Sequence, residues 1–404
     1  MYVARQPILD REHRIAGYEL LFRPANGGPI GDAMRASAFV AAKSFSDPAF
    51  ADLLGPYPAF INVDAEFLAS ELVELLPVRR TVLELLETVA FTPAVLARCR
   101  ELKARGFRLA ADDYAGERSA IAPVLDLLDF VKVDLPSVGE RDPRALAREL
   151  GPVTLLAEKV ETAADHERFA AAGFELFQGY YYARPETFTR RGRDPAREAA
   201  LEVLALVFGG ASERELERAL KRHPDLIIGL LRLVNSAAAG LTRPIGSLRE
   251  ALLYLGRDPL RLWLQLLAYV GAGAQDPGGD PLLQTAAARA RAMEILARRA
   301  GRAGERAFLV GLVSLLDAAT GVPRSELFER LSLDAEIRAA LETEAGPLGA
   351  LLALAVALER ADGAAIATAR ARLPALGDAD LEEAARAGAA WAGSLGRALA
   401  SRVA

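Results

Sequence analysis

The stretch FVKVDLPSVGERDPRALARELGPVTLLAEKV, residues Phe130–Val160, decides the fold. Two short apolar runs, Phe130–Val133 and Thr154–Glu158, flank the helically periodic segment Pro143–Leu150. Pro143 suits a first helical turn, where its missing N–H costs nothing. Strand, helix, strand is the reading, and the unit recurs on both sides. Further strand candidates are Tyr2–Pro7, Ile15–Phe22, Ala59–Val63, Val82–Leu86, Arg108–Asp112 and Leu176–Gln178. Pro93–Arg105 and Ala163–Ala172 have helical spacing, and Gly106 and Gly173 suit helix stops. Strand then helix, repeated about eight times, predicts a (β/α)8 barrel rather than an open sheet.

Beyond Thr189 the pattern changes. The segment Thr189–Arg197 is charged, contains Gly and Pro, and reads as a linker. From Glu198 onward strand signals vanish and apolar residues recur at helical spacing, as in Leu201–Phe208, Leu226–Val234, Leu260–Val270 and Ala286–Ala300. The expected organisation is an α/β barrel over 1–188, a linker over 189–197 and an all-helical domain over 198–404. A chain of 404 residues exceeds one ordinary core, which agrees with two domains.

Composition removes several classes. Net charge is −5 and neither half has a strong basic excess, so nucleic acid is excluded as a partner. The lone cysteine, Cys99, excludes a disulfide framework and reads as a core filler. Met1–Asp10 has no apolar signal core, and the longest apolar run, Leu348–Leu358, is too short to span a bilayer. A cytoplasmic protein without membrane insertion is expected. Arginine outnumbers lysine 44 to 5, and there are three asparagines, so a retained Lys or Asn is the better candidate for a specific role.

Chemistry in such barrels gathers at the C-terminal strand ends. Those ends offer Glu19 and Arg23, then Asn62, Glu84, the pair Asp112 and Asp113, Lys132, Glu158 and Gln178. Each is a polar residue set against an apolar run, where an unsatisfied group is expensive. One alone reads as a rim residue in a salt bridge, but seven consecutive strands contributing one each do not. Carboxylates with one Asn and one Lys form a hard-oxygen set that suits magnesium or manganese better than zinc. Adjacent aspartates suit a two-metal site, and paired metals suit displacement at phosphorus.

These residues also carry a resemblance. GYELLFR (Gly17–Arg23), FINV (Phe60–Val63), LELLE (Leu83–Glu87), ADD (Ala111–Asp113), VKVD, AEKVE and FQGYYYARP resemble, in order and spacing, the motifs of EAL-domain cyclic di-GMP phosphodiesterases. The likeness covers about residues 1 to 186. It implies a modified (β/α)8 barrel that binds cyclic di-GMP and hydrolyses it to pGpG with two Mg2+ or Mn2+ ions. It further implies metal ligation by Glu19, Asn62, Glu84, Asp112 and Asp113. Lys132 would hold the attacking water, Glu158 would act on it as acid or base, Gln178 would complete the pocket and Arg23 would grip a phosphate. Glu87 and Glu161 would steady a loop and a ligand. Two stretches depart from the pattern: DYAGERSA (Asp113–Ala120) replaces the usual loop after the aspartates, and Lys159 stands where the motif has glycine. Both resemble the EAL branch that is fused to an HDOD domain.

LLRLVNSAAAGLTRPIGSLREALLYLGRDPLRLWL (Leu230–Leu264) resembles the central signature of HDOD domains, helical relatives of the HD phosphohydrolases. The second domain has one histidine, His223, followed by Pro224, so it lacks the ligands of a metal-dependent HD enzyme. Asn235 and Ser236 read as turn residues, and Trp263 and Tyr269 as core. The implied role of this domain is to bind a protein partner or regulate the barrel, and a homodimer is compatible with it. Two functions compete. The complete acidic set favours a cyclic di-GMP phosphodiesterase; the altered loop favours a receptor or scaffold that signals through the HDOD domain without hydrolysis.

Overall fold

The computed structural model describes residues 2–23, 56–183, 195–234, 245, 247–270, 280–331 and 333–400. The Arg23 side chain, linker residues 189–194, Asn235, Ser236 and the 241–243 segment lie outside that set.

Eight strands close into one barrel in chain order: β1 (Tyr2–Asp10), β2 (Ile15–Arg23), β3 (Ala59–Val63), β4 (Thr81–Leu85), β5 (Arg108–Tyr114), β6 (Phe130–Asp134), β7 (Thr154–Glu158) and β8 (Leu176–Phe177). The strand–helix alternation does not extend to the start. β1 and β2 form a hairpin, and β1 runs antiparallel to both β2 and β8, while β2 through β8 are mutually parallel. Four residues between the two strands are too few for a parallel crossover, so the first strand is reversed. The later units follow the expected pattern. The helices Pro93–Ala104, Pro143–Leu150 and Ala163–Ala170 are capped by Thr92, Asp142 and Thr162. Cys99 is buried on the first of these.

Inside the barrel, Ile8, Phe60, Val82, Ala110 and Leu156 form a separate apolar plug, with Phe130 and Leu176 against it. Gly17 belongs to the same layer, because a Cβ there would lie 2.9 Å from the Phe60 ring. Side chains alternate along a strand, so residues two positions further on face the same interior, one layer nearer the mouth. From Gly17, Phe60, Val82, Ala110, Phe130, Leu156 and Leu176, that step reaches Glu19, Asn62, Glu84, Asp112, Lys132, Glu158 and Gln178. On the reversed β1 the step runs backwards, from Ile8 to Gln6.

Among the described residues, the secondary structure of the second domain is all helical, and its first helix, Pro195–Phe208, takes in the last residues of the expected linker. Its central element is Pro281–Arg299, packed on Gly304–Val313 and on Asp378–Ala400. The first contact is close: a Cβ on Gly311 would lie 2.5 Å from the Ala290 Cα. Residues 335–359 are apolar enough in composition to cross a membrane. Their helix breaks at Glu344, whose φ is 52°, and the 14-residue Gly346–Glu359 piece is a core helix with most of its leucines buried. At about 1.5 Å per residue that piece falls short of a bilayer's hydrocarbon thickness.

The domains touch along β1 and the short turn Tyr181–Ala183 that follows β8. Asp378–Ala400 lies on β1, Arg5 donates to Gln284 at 2.9 Å, and the Tyr182 and Thr285 hydroxyls are 3.4 Å apart. Beside this seam Arg289 is buried and makes a two-bond fork to Glu359 at 2.8 and 2.7 Å, with Ser314 as third partner. The helix crossing at Gly311 is the easiest part of this core to test. Gly311→Ala should destabilise the protein by about 1–3 kcal/mol through overpacking, read as a lower urea midpoint with unchanged slope. An unchanged midpoint would show that these helices have room to part.

Candidate active site

Lys132 stands at the centre of the barrel mouth and is 1 % exposed. Its ammonium lies 2.7 Å from Asp112, 2.9 Å from Glu84, 2.9 Å from Glu158 and 3.4 Å from Glu19. Asn62 donates to Glu19 at 3.1 Å. Gln178 donates to Glu19 at 2.5 Å and to Gln6 at 3.0 Å. The fold thus gathers one polar side chain from each of eight strands.

One ammonium faces four carboxylates, and burial decides how they share charge. Burial drives Glu84 well above the usual carboxylate range; Glu19 and Asp112 add to the shift and Lys132 only partly opposes it. Asp112 is raised by burial first, with Lys132 opposing and Glu19 and Asp113 adding to the shift. Glu158 is pushed up to about 8, again by burial first, with Lys132 lowering and Asp112 and Glu19 raising. Glu19 alone ends below its ordinary value, because Lys132, Gln178 and Asn62 together outweigh its burial. Burial acts against the Lys132 charge, but the four carboxylates hold it well above the ordinary lysine value.

The residues fit a divalent cation. Asn62 Oδ1, Glu84 Oε2, Glu158 Oε2 and Gln178 Oε1 are buried without a hydrogen-bond partner, an arrangement that is costly unless something else meets them. All are hard oxygen donors. A second group sits higher: ligand oxygens of Glu87, Asp112 and Asp113 lie within 4.8 Å of one another. Simple alternation would send Asp113 to the outer face of β5. The strand register shifts between Ala111 and Tyr114, and Asp113 adopts a φ of 45°, a bulge that turns it back toward Asp112.

Of the residues expected from sequence, Glu19, Asn62, Glu84, Asp112, Lys132, Glu158 and Gln178 are brought together, with Asp113 at their edge. Glu87 is exposed and groups with the two aspartates rather than standing behind them. Glu161 is also exposed; it lines a different cavity, of about 320 Å³, with Tyr180 and Arg360 between the domains. For Arg23 the backbone alone is described, paired with Tyr2 at the end of β2. Sequence reading missed Gln6, since counting toward C-terminal strand ends fails on a reversed strand. It treated Lys159 as a departure, yet that ammonium lies 3.4 Å from Asp113 and 3.1 Å from Asp134.

Comparison with known proteins follows the same division. An EAL domain model matches residues 60–185 and an HDOD domain model matches residues 204–317. The chain is 32% identical over 373 residues to the cyclic di-GMP phosphodiesterase CdgJ of Vibrio cholerae, covering 89% of this chain and 85% of that one. It is 26% identical over 352 residues to the uncharacterized protein YuxH of Bacillus subtilis, covering 84% and 86%. Among solved structures, a standalone EAL protein of Vibrio cholerae in its c-di-GMP-bound form is 24% identical, with a TM-score of 0.37, over 45% of this chain and 91% of that one. The EAL protein YkuI of Bacillus subtilis, in complex with c-di-GMP and calcium, is 20% identical with a TM-score of 0.36; the match covers 44% of this chain and 54% of that one. The chain belongs to the family of proteins in which an EAL domain is joined to an HDOD domain.

Proposed function

We propose that the barrel binds cyclic di-GMP and hydrolyses one of its two phosphodiester bonds, giving linear pGpG. The observation that carries this reading is the set of unpartnered buried oxygens around Lys132, a site prepared for cations in a family with a phosphodiesterase member. Glu19, Asn62, Glu84 and Asp112 would hold one divalent ion, and Asp113 and Glu87 a further one beside Asp112. Mg2+ and Mn2+ suit these oxygens. When bound, such ions neutralise phosphate charge and acidify water.

The rest falls to the chain's own residues. Glu158, buried and pushed up to about 8 without metal, keeps its own proton near neutral pH; bound cations would favour its carboxylate, which would then take a proton from water. Lys132 holds Glu158 in place through their 2.9 Å contact and adds positive charge where the phosphorane would develop negative charge. The apolar plug closes the barrel below and keeps bulk water away from that side. Arg23 would grip a phosphate from the end of β2. Cleavage breaks one P–O3′ bond; the water oxygen joins phosphorus, and the departing 3′ oxygen takes a proton. The HDOD domain, seated on β1, would receive a protein partner. A receptor without turnover is the second reading, favoured by the Lys159 contact to Asp113.

Incubation with cyclic di-GMP and Mg2+ or Mn2+ should yield pGpG. Glu158→Gln should lower turnover by about a hundredfold or more while binding persists. Tight binding with no pGpG in the wild type would establish the receptor instead.

Divalent metal should raise the melting temperature, because a ligand held only by the folded state stabilises it. Asp112→Asn should abolish the rise, and a mutant that responds like wild type would place the metal elsewhere. Without metal, stability should fall with rising pH. Glu158 binds its proton up to about 8 when folded but only up to about 4.5 when unfolded, so the folded state holds the extra proton between those values. Its stabilisation is complete below the lower value and lost as pH rises through the upper one. Urea midpoints across that window should decline in wild type and decline less steeply in Glu158→Gln, where the raised Glu84 and Asp112 remain; equal slopes would remove Glu158 as a cause.

A further inference from the structure

Two residues other than glycine face each other at the edge of the site in left-handed backbone: Asp113 at φ 45° and Lys159 at φ 56°. That region favours glycine, so each needs a local reason to be there. For Lys159 the surrounding loops supply one. The next residue, Val160, donates its N–H to the Gln178 carbonyl at 2.9 Å and accepts from the Tyr181 N–H at 3.2 Å. Gly179 makes this approach possible, since a Cβ there would lie 2.2 Å from the Val160 carbonyl oxygen. The Lys159 backbone is therefore clamped beside the β8 loop.

The side chain is anchored as well. Its ammonium lies 3.1 Å from Asp134 Oδ1 and 3.4 Å from Asp113 Oδ1. Asp134 is buried; its Oδ1 is met by the Lys159 ammonium, and its other oxygen accepts from Ser137 at 2.5 Å. If Lys159 swung into solvent, it would leave a buried carboxylate oxygen uncompensated, the costly way to break such a pair. Although the Lys159 side chain is 54 % exposed, Asp134 thus holds it in position.

Its consequence falls on Asp113. That carboxylate, with Asp112 and Glu87, forms the shallower oxygen group. An ammonium already in contact with it occupies part of its charge and repels any cation brought alongside.

We propose that Lys159 is a tethered cation standing in for the second divalent ion, so that the resting protein holds one ion at the deep site and binds a second only weakly. This rests on the hydrolase reading of the site and adds that its metal count is set by Lys159. It makes the one-metal form the default, with the shallow group filled when ligand phosphate or a partner draws Lys159 away.

The test counts ions rather than turnover. Full-length protein is titrated with Mn2+, and free ion is followed by electron paramagnetic resonance. Wild type should take up about one ion per chain in the tight phase; Lys159→Gly, which also suits the left-handed backbone, should take up about two. Lys159→Met keeps most of the bulk without the charge and should behave like the glycine variant. Two tight ions in wild type, or one in all three proteins, would overturn the proposal, as would a second ion gained in Lys159→Gly but not in Lys159→Met. The hydrolase reading fails separately: if wild type forms no pGpG but its metal count still responds to Lys159, the tethered cation stands and the reaction does not.

Discussion

Everything at the barrel mouth depends on one buried ammonium. Lys132 is the charge that allows Glu19, Glu84, Asp112 and Glu158 to approach one another inside a closed sheet. Remove it and four carboxylates share a volume from which water is largely excluded, an arrangement that like-charge repulsion and desolvation both oppose. With it, burial still raises Glu84, Asp112 and Glu158, and several oxygens remain unmet. The site is a balanced but unsatisfied network, and that dissatisfaction gives a cation something to gain.

The geometry beneath it is simple. An apolar plug fills the lower barrel, and the period of two along each strand lifts one polar side chain per strand into the layer above. Two local irregularities refine this plan. The bulge at Asp112 and Asp113 brings two adjacent carboxylates to one side of the sheet. The reversed first strand supplies Gln6, which accepts a bond from Gln178 and so helps fix the amide that holds Glu19.

Gln6 also relates the two domains. Its neighbour Arg5 reaches Gln284, and both line a small cavity with Tyr18, Tyr182, Arg289 and Glu359. The helical domain is thus seated on the strand that supports the Glu19 end of the site. Movement of that domain would act on β1, one hydrogen bond from Gln178. The buried Arg289–Glu359 fork keeps the helices beside this seam in register, since either partner alone would be an unpaired buried charge.

Sequence alone determined the number and order of the strands, the change to helices after the linker region, and the identity of nearly every residue around Lys132. These are local properties: apolar runs, helical spacing and polar residues two positions beyond a plug residue are all visible within a few residues. The hairpin at the start, the place of Gln6, the turning of Asp113 and the grasp of Lys159 on Asp113 and Asp134 were decided only by the closed barrel. Each depends on residues tens of positions apart meeting in space. Lys159 and Asp113 are separated by 46 residues, Gln6 and Gln178 by 172, and no periodicity within one segment records such a meeting. Alternation along a strand shows which face a side chain takes, but barrel closure selects its neighbours, and here the neighbours set the charge on each group.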